Sequence, residues 1–204
     1  LPEVEPKLVI EAVPELVDLK GRVLAELAER YPSTLLGTNT SSLSITELAS
    51  HVTGPERFIG MHFFNPVPVS SLVELVVGAA TSDATVEASK QWVERLDKTA
   101  IVVNDSPGFA TSRLGLVLGL EAIRMVEQGV ADAEDIDRGM ELGYKHPMGP
   151  LRLTDLVGLD VRLGIAEHLA STLGPRFEPP ELLRQMVADG KLGRKSGEGF
   201  YSWS

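Results

Sequence analysis

The 204-residue sequence contains no cysteine, which excludes disulfides, thiolate zinc sites and a cysteine nucleophile. It also lacks any run approaching the roughly 20 uninterrupted apolar residues that cross a bilayer, and it does not open on the basic-plus-apolar pattern of a secretory signal. Basic residues are in short supply: 19 Lys and Arg stand against 29 Asp and Glu, for a formal charge of -10. A nucleic-acid surface needs clustered cations to neutralise phosphates, so neither nucleic acid nor membrane is expected as a partner, and the expected setting is cytoplasmic. Internal repeats and low-complexity stretches are missing too. What is present, 43% hydrophobic and 24% charged residues, suffices for a sizeable core in one domain or two small ones.

The chain opens with Lys7-Leu8-Val9-Ile10-Glu11-Ala12-Val13, an apolar run of buried-strand type, followed by a helical pattern through Arg22, Glu26 and Arg30. A second strand candidate, Thr34-Leu35-Leu36-Gly37-Thr38, leads into the polar turn Asn39-Thr40-Ser41-Ser42, which can cap a helix through Glu47 and Leu48. Residues 58–64 and 72–77 are the next strand candidates, separated by Asn65-Pro66-Val67-Pro68, a connector that two prolines stiffen. A helix over 85–96 and a strand over 99–103 complete an α/β pattern. After Asp105-Ser106-Pro107-Gly108 the strand-like runs stop, and helical periodicity covers 109–129, 133–142, 151–173 and 180–189. The reading is an α/β domain over 1–106 and an all-α domain over 107–204. Gly115 and Gly119 form a small-xxx-small pair, which in a segment carrying Arg113, Glu121 and Arg124 points to close helix packing within the chain or across a dimer interface rather than to a membrane.

Two ionisable residues interrupt apolar strands. A lone histidine at the end of a strand, such as His62, is more often a packed core residue than a base. Glu74 interrupts Leu72-Val73-Glu74-Leu75-Val76-Val77, where a carboxylate is costly to bury unless compensated; the bland reading is an exposed position on an edge strand. If the turn over 65–71 brings the two strands together, Glu74 can hold one imidazole nitrogen of His62 while the other faces substrate, an arrangement that favours the charged form and makes a base. Residues 39–42 sit at the carboxyl end of a strand, where open α/β sheets bind ligands, although plain helix capping would use the same loop. No metal site is expected.

Taken in order, Asn39-Thr40-Ser41-Ser42, Gly60-Met61-His62-Phe63-Phe64-Asn65-Pro66, Leu72-Val73-Glu74 and Asp105-Ser106-Pro107-Gly108-Phe109 resemble the 3-hydroxyacyl-CoA dehydrogenase family. The resemblance continues through Glu134-Asp135-Ile136-Asp137, Pro147-Met148-Gly149-Pro150, residues 155–160 and residues 193–201, and so spans nearly the whole chain. It implies a Rossmann-type, mostly parallel sheet followed by a helical domain. It also implies NAD as cofactor, an acyl-CoA substrate oxidised from the 3-hydroxy to the 3-keto thioester, and a homodimer formed through the helical domain. His62 is then the base, Glu74 its partner, and Ser41 the hydrogen-bonding group at the substrate oxygen near the nicotinamide. Glu15, Lys20, Asn39 and Ser41 are implied near the cofactor, and Ser41, Asn65 and Ser112 near the substrate.

Two departures from the family pattern stand out. Ser112 occupies the place before Arg113 where members often carry an asparagine, and a serine lacks the amide donor. The sequence also contains no Gly-x-Gly-x-x-Gly strand-turn-helix with a following acid, so the expectation is a Rossmann domain without its amino-terminal part, not competent alone for full catalysis. The opposing readings are a dehydrogenase of a free hydroxy acid and a non-catalytic, dimer-forming module. The segment 193–201, with no strand before it, is expected to be a structural tail packing Phe200 and Tyr201 rather than a phosphate loop.

Overall fold

Five short runs form one sheet in the computed structural model, which describes residues 6–203. In chain order the elements of the first half are β1 (Leu8–Glu11), α1 (Val17–Arg30), β2 (Leu35–Thr38), α2 (Ile45–Ala49), β3 (Phe58–Phe63), β4 (Leu72–Val77), α3 (Asp83–Arg95) and β5 (Thr99–Asn104). The strands lie side by side in sequence order. β1, β2 and β3 run parallel, as do β4 and β5, with helical crossovers between them; β3 and β4 are antiparallel across the connector of residues 64–71. This is the mostly parallel α/β architecture expected, with one reversed junction.

β3 and β4 are inner strands buried on both faces, which explains their continuous rather than alternating apolar runs. One face packs Leu24, Leu36, Ile45, Leu48, Phe58 and Val76. The other packs Ile59, Met61, Val73, Leu75 and Val93. The cap of α2 is Ser44, whose hydroxyl accepts from the Glu47 amide and donates to Asp105. Residues 39–42 stand before that cap, so the polar turn is left for other work.

The chain divides into two compact units, Leu1–Ala110 and Thr111–Ser204. The second is helical: α4 (Thr111–Glu127), α5 (Ala133–Gly143), α6 (Pro150–Val157), α7 (Leu159–Leu173) and α8 (Glu181–Ala188). The single helix expected over 151–173 breaks at Gly158, whose φ of 104° a side chain would resist. Leu116, Leu120, Ile123, Leu151, Leu159, Leu169, Phe177 and Leu183 form its core.

Two buried carboxylates organise this unit. Asp137 accepts the amides of Leu151 and Arg152, both at 2.8 Å, and so caps α6, whose own N-cap, Gly149, has no side chain to do it. It also accepts the Tyr201 hydroxyl at 2.8 Å, and burial followed by this carboxylate pushes the phenol above its ordinary pKa. Asp155 accepts the amides of Phe200 and Tyr201 and the Trp203 indole, which anchors the tail. Among the described residues no helix is long and apolar enough to cross a membrane.

A Cβ at Gly149 would overlap the Asp137 carboxyl. Gly149→Ala should therefore destabilise the helical unit by about 1–3 kcal/mol, read as a lowered Tm; an unchanged Tm would show that Asp137 can yield without loss of its cap.

Candidate active site

The antiparallel register of β3 and β4 sets His62 directly opposite Glu74. Both are buried, at 5% and 0% exposure, and His62 Nδ1 lies 3.0 Å from Glu74 Oε2. The edge-strand reading of Glu74 fails because β4 lies between β3 and β5. Its other oxygen, Oε1, accepts the Ala110 amide at 2.9 Å. That amide arrives through a turn in which Gly108 and Phe109 both adopt positive φ, 74° and 49°. Such a conformation is uncommon for an aromatic residue and is held here because Phe109 is buried in the core. Rings of Phe64 and Phe109 flank the imidazole at centroid distances of 4.4 and 5.9 Å. With Glu74 ionised, Nδ1 carries the proton and Nε2, engaged by no described residue, keeps its lone pair.

A second network closes the carboxyl ends of β1 and β2. Lys20, fully buried on α1, donates to Glu11 Oε1 at 2.9 Å, to the Val13 carbonyl at 3.0 Å and to the Asn39 carbonyl at 3.2 Å. Glu11 also accepts the Thr38 hydroxyl and the Val13 amide, both at 2.6 Å. Glu15 accepts the Thr40 hydroxyl and the amides of Ser41 and Ser42, and lies 3.5 Å from Lys20. Asn39 then reaches across to β3, its Oδ1 accepting the amide of Phe63, the residue after His62. Glu15, Lys20, Asn39 and Ser41 are thus one connected group, tied to the strand that carries the histidine.

Within this group Lys20 is enclosed and committed to carbonyls and carboxylates, so its influence on a ligand runs through the loop it holds. Ser41 is exposed and its hydroxyl bonds to no described residue, which leaves a donor open at the strand ends. That open donor and the adjoining polar loop lie at the carboxyl ends of parallel strands, where open α/β sheets bind ligands. Asn65 is exposed on the connector three residues after His62, and Ser112 is half-buried in the first turn of α4 in the helical unit. The sequence reading missed Glu11, Thr38 and Ala110. Glu11 had a readable signal, a carboxylate at the end of an apolar strand like Glu74; Ala110 acts through its backbone and had none.

Burial opposes the charge on Glu15, but the Thr40 hydroxyl, the Ser41 amide, the Lys20 ammonium and the Ser42 amide outweigh it and hold the carboxyl below its usual range. A carboxyl whose folded pKa is depressed stabilises the loop above its ordinary value of 4.5 and loses that contribution as pH falls through the lower folded value. The amide proton shifts of Ser41 and Ser42 should therefore titrate with a midpoint below 4.5 and lose this step in Glu15→Gln; a midpoint at or above 4.5 would contradict the network.

Residues 3–106 match the family model described as 3-hydroxyacyl-CoA dehydrogenase, NAD binding domain, and residues 108–203 match the C-terminal domain of the same family. The chain is 47% identical over 198 residues to a probable 3-hydroxybutyryl-CoA dehydrogenase of Deinococcus radiodurans, covering 96% of this chain and 71% of that protein. It is 48% identical to the Bacillus subtilis counterpart, over 96% and 69% of the two chains. The crystal structure of (S)-3-hydroxybutyryl-CoA dehydrogenase from Ralstonia eutropha superposes with a TM-score of 0.93 at 45% identity, covering 97% of this chain and 71% of that one. Two domain matches in order and relatives at this identity agree with the histidine–glutamate pair and the sheet that presents it: the chain belongs to the 3-hydroxyacyl-CoA dehydrogenase family, whose members are NAD-binding oxidoreductases.

Proposed function

We propose that this chain supplies the base and the substrate-side residues with which an (S)-3-hydroxyacyl-CoA is oxidised to the 3-ketoacyl-CoA by NAD, in fatty acid β-oxidation or butanoate metabolism in the cytoplasm. The observation that carries the reading is the buried His62–Glu74 contact of 3.0 Å with Nε2 left open. Nε2 takes the proton of the 3-hydroxyl as the carbonyl forms, and Glu74, fixed by the Ala110 amide, stabilises the imidazolium that results. The Ser41 hydroxyl donates to the same substrate oxygen. Glu15, Lys20, Asn39 and Ser41 frame the nicotinamide end of the cofactor, and Asn65 and Ser112 meet the substrate. NAD bound there supplies the two-electron acceptor for the substrate carbon. Residues 1–106 serve as the cofactor domain and 107–204 as the substrate and dimerisation domain.

A homodimer through α4 is supported by its exposed Leu114, Val117 and Leu118, which lie at i, i+3 and i+4 on one strip. Leu114→Glu with Leu118→Glu should convert dimer to monomer by light scattering, whereas a monomeric unmodified protein would refute the assembly.

NADH formation by the full chain, followed with 3-hydroxybutyryl-CoA and with free 3-hydroxybutyrate, tests the reading. The thioester should be the better substrate by kcat/KM, and His62→Gln should lower kcat by about 10²–10⁴. Equal use of the free acid would move the protein to the hydroxy-acid dehydrogenases. Stable dimers without NAD affinity would make it an assembly module.

A further inference from the structure

The helical unit buries a cation that no acid among the described residues pairs. Arg162, in the first turn of α7, is 6% exposed, and among the described residues no carboxylate or carbonyl engages it. Its Nε is enclosed without an acceptor. The two buried acids of the unit are committed elsewhere, Asp155 to the tail and Asp137 to the start of α6 and Tyr201, and Asp160, two residues before Arg162, pairs with Lys195 at 2.6 Å. Burial draws the guanidinium pKa down to about 10, so the group is still charged at neutral pH.

The position of the guanidinium explains what it could serve. Nη1 lies 3.5 Å and Nη2 4.0 Å from the point a Cβ would occupy on Gly115, so the group rests against a bare stretch of α4. Ser112 is three residues earlier on the same face of that helix. One turn further on, a Cβ at Gly119 would lie 3.0 Å from the Thr154 hydroxyl oxygen, and among the described residues that oxygen too is enclosed without a partner. The two glycines therefore accommodate two polar heads whose hydrogen-bonding capacity the protein leaves unspent. A buried guanidinium without an anion is unfavourable, and its planar fork matches a phosphate better than any neutral group.

We propose that Arg162 is an anion-binding residue of the helical unit and that its ligand is a phosphate of the acyl-CoA. The assignment rests on the function proposed above, since phosphates are the groups of that substrate carrying full negative charge. Arg162 is thereby a substrate-affinity residue rather than a participant in proton transfer.

Calorimetric titration of the full chain with CoA, alongside kinetics, tests it. Arg162→Met should weaken CoA at least about tenfold and raise KM for 3-hydroxybutyryl-CoA in parallel, with kcat changed less than about threefold. The N-acetylcysteamine thioester of the same acid, which has no phosphate, should keep its KM. Arg162→Gln, neutral but polar, is the second variant should Met not fold, and the same loss is expected. Unchanged CoA affinity in a folded variant would overturn the proposal, as would an equal KM rise for the phosphate-free thioester. So would dissociation of a dimer by either substitution, which would assign the anion to a carboxylate of a second copy. Arg162-dependent CoA binding in a protein with no dehydrogenase activity would uphold this site while sinking the function reading.

Discussion

A carboxylate in the middle of an apolar strand is the constraint around which the α/β unit is arranged. Glu74 has no access to water, so the chain must bring hydrogen-bond donors to it. An opposing strand provides His62, and a turn through two residues of positive φ returns the Ala110 amide. Desolvation that would be a liability elsewhere becomes orientation here: a carboxylate held on two sides can address the imidazole in only one way. An imidazole with one nitrogen held against a carboxylate follows from satisfying a buried polar group.

The same logic recurs at the ends of β1 and β2, where Glu11 and Lys20 bury opposite charges and add carbonyl and hydroxyl partners until both are satisfied. Breaking such a pair leaves an unpaired buried charge, which costs about 3–5 kcal/mol. The Asn39 side chain couples this network to β3. Loop, imidazole and carboxylate are consequently parts of one hydrogen-bonded frame, and the exposed hydroxyl of Ser41 is carried on a support whose internal bonds are made.

Much of this could be read from residue order. Apolar runs bounded by turns located all five strands, and the change of periodicity after Pro107 located the helical half. The pairing of His62 with Glu74 was conditional on a turn of the right length, and the structure supplies it. Other features were not legible for definite reasons. Gly158 sits in a sequence that is otherwise helical, and only its backbone dihedral shows the break. Ser44 caps α2 although four earlier polar residues compete for that role. Ala110 contributes through its amide, which every residue but proline has. The commitment of Lys20 to interior carbonyls depends on three segments meeting, information that no local pattern contains.

The reversed junction between β3 and β4 has a consequence for how this site can change. Side chains in a sheet alternate between faces, so a slip of one residue between these strands would send His62 and Glu74 to opposite sides. The buried carboxylate would then face apolar packing with no imidazole beside it. Register is therefore guarded by electrostatics as well as by hydrophobic fit, and the connector of residues 64–71 is the segment whose length enforces that alignment. Insertion or deletion of a single residue in that connector would therefore displace the imidazole from the carboxylate, whatever side chains the connector carries.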